Sequence, residues 1–214
     1  VVSLETALPE DLGTEQSVEL EAGSFGTVWG NYGYGMRTET GALGLNISRI
    51  TTDGYSAANE ADGNTEADGY NANRLSVKGE ALVGDGVLLT FSGFAEDAQG
   101  EYDQNFPIQD GSPDEIAESF SWGARIGAEF NAAGFDHEIG ASVYRMDRIL
   151  SGSDGFGANF FDFVGSRDTI NWIAGRDLGA GRLSLGADAT LESFLSVNSF
   201  GSTDEDESTT IGAF

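Results

Sequence analysis

Cysteine is absent from the 214 residues, which excludes disulfides, zinc ribbons, thiol catalysis and iron–sulfur clusters together. Histidine occurs once, at His137, so a two-histidine metal site cannot form and most catalytic triads are excluded. Positive charge is scarce as well: Lys and Arg total 10 against 36 Asp and Glu, a net charge of −26. Such a surface repels phosphate and excludes nucleic-acid binding. The one lysine is Lys78, and no basic cluster is present to grip an anionic membrane leaflet. No apolar run approaches the roughly 18 residues a spanning helix needs, which leaves a β-barrel as the membrane architecture still open. Three prolines are too few for a disordered or collagen-like chain. The opening residues carry no apolar leader, so any targeting segment is expected to lie outside this sequence.

Glycine, by contrast, is abundant at 31 residues, about twice the ordinary share of roughly 7%. The apolar residues follow a two-residue period. Phe120, Trp122, Ala124, Ile126, Ala128 and Phe130 alternate with Ser121, Gly123, Arg125, Gly127 and Glu129, as in a strand whose two faces meet different solvents. The pattern recurs in Leu75 to Val83, in Val87 to Ala95 and in Leu183 to Leu191. Strands are expected near 16–24, 27–37, 41–52, 72–83, 86–97, 118–131, 135–147, 167–177 and 181–194, with a tenth starting near Ser208. Tight turns at 38–41, 84–86, 131–134 and 179–181 alternate with mostly long polar segments, which describes an antiparallel meander with two unlike ends.

The turn spacing also fits the blades of a β-propeller. A blade holds four short strands, however, whereas each period here holds two of about ten residues, the length that crosses a bilayer at a tilt. A soluble sandwich would use strands nearer five or six residues and could not bury Arg125, Glu129, Asp188 and Glu192 unpaired. The reading is therefore an all-β, antiparallel up-and-down transmembrane β-barrel, apolar side chains toward lipid and polar ones toward the lumen. Trp29, Tyr32, Tyr34, Phe120, Phe130 and Phe194 lie near strand ends, where an interfacial aromatic girdle would sit, and His137 is expected to be structural.

Two long segments are acidic. Residues 53–71 carry Asp53, Glu60, Asp62, Glu66 and Asp68, and residues 96–118 carry Glu96, Asp97, Glu101, Asp103, Asp110, Asp114, Glu115 and Glu118. Oxygen donors at this density suit Ca²⁺, and they equally suit a solvated loop. Neither segment has EF-hand spacing, and the stretch from Gly152 to Asp162 resembles a single copy of a calcium-binding nonapeptide, too little to build a β-roll. No G-x-S-x-G, P-loop or dinucleotide fingerprint occurs. Glu129 and Glu192 could imitate a glycosidase pair, but lumen polarity accounts for them, and no enzymatic activity is expected. Asp204 to Glu207 read as the solvated tip of a further long loop.

Several motifs carry a resemblance. Val1-Val2-Ser3-Leu4-Glu5-Thr6 resembles the end of the plug domain in TonB-dependent outer-membrane receptors, and Gly23-Ser24-Phe25-Gly26 resembles their short first outer loop. Thr52 to Asn59, with Asp68-Gly69-Tyr70, resembles the second outer loop of the cobalamin-transporter branch. The resemblance implies that residues 1–15 end a plug and lead into the barrel. Residues 16–214 would then be nine or ten strands of a barrel of about 22, with short periplasmic turns and long extracellular loops. It implies a bacterial outer membrane, partnership with TonB through regions outside this sequence, contact with lipid and lipopolysaccharide, and import of a large scarce nutrient, above all a corrinoid. By position it implies Ca²⁺ ligands at Glu66, Asp68, Asp103 and Asp114, with no covalent cofactor, and substrate contact at Tyr55, Tyr70, Tyr102 and Phe106. Ser56 stands where the family has a further charged ligand. The competing readings are an iron-siderophore receptor of the same family, a small passive porin-like barrel, and a soluble acidic propeller or lectin-like module.

Overall fold

The computed structural model describes residues 8–56, 67–103, 115–154, 157–201 and 203–214, and within them every regular element is a strand. The ten are β1 (Gly13–Ala22), β2 (Val28–Thr38), β3 (Gly41–Thr52), β4 (Tyr70–Val83), β5 (Val87–Glu101), β6 (Ile116–Ala132), β7 (Phe135–Asp154), β8 (Gly157–Asp177), β9 (Arg182–Asn198) and β10 (Thr203–Ala213). They form one antiparallel sheet in sequence order, so the propeller alternative is excluded. Among the described residues β1 pairs only with β2 and β10 only with β9, leaving the sheet open at both edges.

The turns at one end are short because their residues suit them. Between β6 and β7, Ala133 and Gly134 take φ of 54° and 77°, the two left-handed positions of a hairpin turn matched to strand twist. At the opposite end only the connections 53–69 and 102–115 are long. The expected long segment between β7 and β8 is instead strand pairing that runs to Asp154 opposite Gly157. The acidic run Asp204 to Glu207 likewise belongs to β10 and pairs with β9. In these stretches apolar residues fall on both faces, as Phe160 and Phe161 do on β8, or on neither, as in Asp204 to Glu207, so no alternation marks them in the sequence, and backbone pairing with a neighbour makes them strands.

The continuous register assigns every side chain to a face. One row runs Met36, Leu43, Gly79, Phe91, Ile126, Ala141, Ile170, Ala189 and Ile211 across nine strands. The other face carries Glu15, Arg37, Arg74, Lys78, Glu96, Arg125, Glu138, Arg167, Asp188 and Glu192. The polar face is the concave one, since a single groove on it is walled by side chains of five successive strands, including Arg74, Thr90, Arg125, Glu138 and Arg167. The apolar face is open: Leu20 is 78% exposed, Val18 69% and Ile126 65%. Among the described residues the buried apolar side chains are Pro9 and three alanines, Ala42, Ala72 and Ala174. The sheet thus has no packed hydrophobic core, and its apolar surface faces outward.

The apolar band is oblique to the strands. The row Val18, Tyr32, Ile47, Leu75, Ala95 and Trp122 is apolar from β1 to β6 but continues as Arg145, Ser166, Ser193 and Glu207. On β7 to β9 the band has moved toward the tight turns, to Ile139, Trp172 and Leu185. The shift is about seven residues over about eight strand spacings, or about 23 Å against about 38 Å, an angle of roughly 30°.

Candidate functional site

Two regions combine polar chemistry with exposed aromatic surface: the end with the long connections and the concave face below it. At the first, Phe25 sits at the β1–β2 tip with φ of 57°, a left-handed conformation costly for a bulky residue. Its carbonyl accepts hydrogen bonds from the Asp53 amide at 2.9 Å and the Thr52 hydroxyl at 3.0 Å, and Thr52 also touches the Thr27 hydroxyl at 2.8 Å. Gly26 admits the Asp53 carboxylate where a Cβ would stand. This lattice holds the exposed Phe25 ring 5.5 Å from that of Tyr55.

The base of the β3–β4 connection is tied to the end of β5. The Gly69 amide donates to Glu101 Oε2 at 2.8 Å, and the Glu101 amide returns a bond to the Gly69 carbonyl at 2.9 Å. Gly54, at φ 72°, lies so close to the Asp68 carbonyl that a Cβ could not fit. Tyr55 and Asp68 are thereby brought together, the Asp68 amide donating to the Tyr55 carbonyl at 3.4 Å. Tyr70 begins β4 on the concave face, and Tyr102 and Asp103 follow β5 half-buried. Glu66, Phe106 and Asp114 lie outside the described residues. Among the described residues no three acidic or histidine side chains group as a metal site would require.

On the concave face several arginines meet carboxylates of other strands: Arg37 reaches across β3 to Glu80 at 3.1 Å, Arg74 meets Glu96 at 3.2 Å, and Arg167 meets Glu192 at 2.6 Å. Arg125 reaches the Asn171 amide oxygen at 3.1 Å and Glu138 at 3.5 Å. The imagined glycosidase pair does not assemble, because Glu129 is level with Glu138 on β7 and Glu192 is engaged by Arg167. Leu8 lines the main groove, and the buried Pro9 beside it accepts from the Arg37 guanidinium through its carbonyl. The segment ahead of β1 therefore turns into the concave side.

The aromatic girdle needs correction. Tyr32, Tyr34, Phe120 and Phe130 are on the apolar face, but Trp29 and Phe194 have the opposite parity and point to the concave side. His137 is on the apolar face near the tight turns. Its Nδ1 accepts from Trp172 Nε1 at 3.1 Å, which leaves Nε2 to donate to the Ala132 carbonyl at 3.1 Å, and its ring stacks on Phe130 at 5.1 Å. Sequence reasoning put Phe194 in the girdle and missed the phenylalanines it joins on the concave side, Phe161, Phe163 and Phe200. The odd positions of Phe161 and Phe163 on β8 would have placed them once that strand was extended past Asp162. No protein-family model matches this sequence, and no curated protein matches it.

Proposed function

We propose that the chain is a section of an outer-membrane β-barrel wall that takes part in TonB-dependent import of a large scarce nutrient, a corrinoid in the first instance. One observation carries the membrane part: the apolar band on the convex face runs oblique to the strands by roughly 30°, near the 35–45° tilt of strands crossing a bilayer. A soluble sheet has no reason to keep a slanted apolar belt turned away from its own concave side. On β6 the belt from Phe120 to Phe130 measures about 33 Å along the strand, or about 23–29 Å along the normal at such tilts, a range that includes the height of the apolar belt of outer-membrane barrels.

The receptor part rests on the sequence resemblance, and two features are consistent with it. Leu8 and Pro9 enter the concave side where a plug would connect, and Tyr55, Asp68, Tyr70 and Tyr102 gather at the end with the long connections. Calcium at Asp68 and Asp103, together with Glu66 and Asp114, would order those connections for the substrate.

The test is saturable binding of cyanocobalamin to outer-membrane vesicles carrying the complete polypeptide, with and without a calcium chelator. Binding that saturates and weakens on chelation is expected. A protein extracted without detergent would overturn the membrane reading. A membrane-embedded protein that binds neither cyanocobalamin nor a ferric siderophore would overturn the receptor reading while leaving the barrel intact.

A further inference from the structure

We propose that six aromatic side chains form a contact track for the transported solute, leading from the outer end of the concave face toward its middle. The solute it fits has a flat apolar face edged by uncharged hydrogen-bonding groups. This rests on the transport reading above and adds the path to it.

The track begins at Phe200 in the β9–β10 connection, whose ring centroid is 6.1 Å from that of Phe161. Phe161 stacks on Phe163 at 6.5 Å and 7°, and Phe163 on Phe194 at 6.2 Å. Phe194 shares a groove with Tyr144, and Tyr144 stands 6.2 Å from Phe94. That last approach crosses β6, and Gly123 makes it possible, since a Cβ there would lie 2.8 Å from the Phe94 ring. The group is on the polar concave face, where a wall exposed to water has no use for a row of phenyl rings, and Phe194 and Phe200 are 42% and 67% exposed. A row of this kind, exposed at Tyr144, Phe194 and Phe200 and half-buried at Phe94, Phe161 and Phe163, marks a contact site, and flat rings accept the apolar face of a ligand in many orientations.

The flanks specify the rest of the ligand. The Arg167 guanidinium beside Phe194 is held by Glu192, and Arg74, 5.3 Å above the Phe94 ring, is held by Glu96. Asp206 adds an acceptor in the same groove as Phe194. The guanidinium groups of Arg74 and Arg167 are each compensated, so beside Phe94 and Phe194 the track offers paired donors and acceptors rather than a bare cation. Amide-fringed macrocycles and the hydroxyl-fringed faces of oligosaccharides both answer this description.

The experiment measures binding of cyanocobalamin and of maltoheptaose by titration calorimetry to the complete protein in detergent micelles. Wild type is compared with Phe161→Ala/Phe163→Ala, with Phe161→Leu/Phe163→Leu, and with Leu191→Ala on the apolar face. For whichever probe binds, the double alanine variant is expected to weaken affinity at least tenfold and Leu191→Ala to leave it unchanged. The double leucine variant keeps apolar volume without a ring face and should weaken affinity at least threefold. It decides the matter if the alanine protein does not fold, as judged by heat-dependent gel mobility. Unchanged affinity in the aromatic variants overturns the track and leaves the import reading standing. Maltoheptaose binding that depends on the rings, with no cyanocobalamin binding, supports the track and overturns the corrinoid assignment. A wild type that binds neither probe overturns both.

Discussion

Replacing Ile126 with arginine separates a lipid-facing belt from an exposed patch on a soluble sheet. Ile126 is flanked on its own face by Phe91 of β5 and Ala141 of β7 and lies between the aromatic limits Phe120 and Phe130. It is about 20 Å along the strand from the first limit and about 13 Å from the second, which puts it near the centre of the belt. An arginine near the midplane of a barrel's lipid face costs about 2–4 kcal/mol, a factor of about 30 to 1,000 in the folding equilibrium. In water the same change at a side chain 65% exposed would stay within about 0.5 kcal/mol. The control is Ser121→Arg on the concave face of the same strand, level with Glu96 and Met146, where an added cation meets a carboxylate and little change is expected. Folding into phospholipid vesicles, titrated with urea and followed by tryptophan emission, measures both. If Ile126→Arg costs no more than Ser121→Arg, the apolar face does not meet lipid and the membrane assignment is refuted.

Three further substitutions test particular contacts. Gly123→Val places a branched side chain against the Phe94 ring, and overpacking of this kind should destabilise the protein by about 1–3 kcal/mol in the same urea titration. His137→Phe keeps the stack on Phe130 but removes the acceptor for Trp172 Nε1. A loss of about 1 kcal/mol with a shifted tryptophan emission maximum is expected, and an unchanged spectrum would show that this bond is not made. Gly54→Ala combines a left-handed φ with a clash against the Asp68 carbonyl. It should loosen the base of the β3–β4 connection and speed limited proteolysis between residues 53 and 69, while a proteolysis rate equal to wild type would refute the close approach.

What the sequence makes legible follows from which solvent each face meets. Alternation from Phe120 to Phe130 is clear because one face of the sheet is apolar and the other polar over this stretch, and the expected bounds 118–131 lie within two residues of the observed ends, Ile116 and Ala132. Where β7 and β8 rise beyond the belt, both faces meet water. Arg145, Asp147 and Asp168 then appear on the face that is apolar lower down, and the period vanishes although pairing continues to Asp154 and Gly157. Beyond the belt Arg145 is held by Asp168 through two bonds of 2.6 and 2.9 Å, a polar cross-strand contact that takes over where apolar contact ends. The acidic β10 was hidden for the same reason.

The candidate site was legible only in part, because its two halves carry different kinds of signal. The loop residues Tyr55, Asp68 and Tyr102 stand out by local composition, which needs no knowledge of the fold. The phenylalanines of the track on β8 and β9, Phe161, Phe163 and Phe194, are distant in sequence and meet only through a register constant along both strands, with Phe161 opposite Asn198 and Phe194 opposite Gly165. A shift of one residue in that register would turn Phe194 to the apolar face and dissolve the track. The track is therefore a property of strand pairing, and its recognition depends on extending β8 and β9 beyond the belt, where periodicity is weakest. The pairs Arg74–Glu96 and Arg167–Glu192 lie on the same face near the height of Phe194, so the pairing that creates the aromatic row also supplies polar flanks at its lower end.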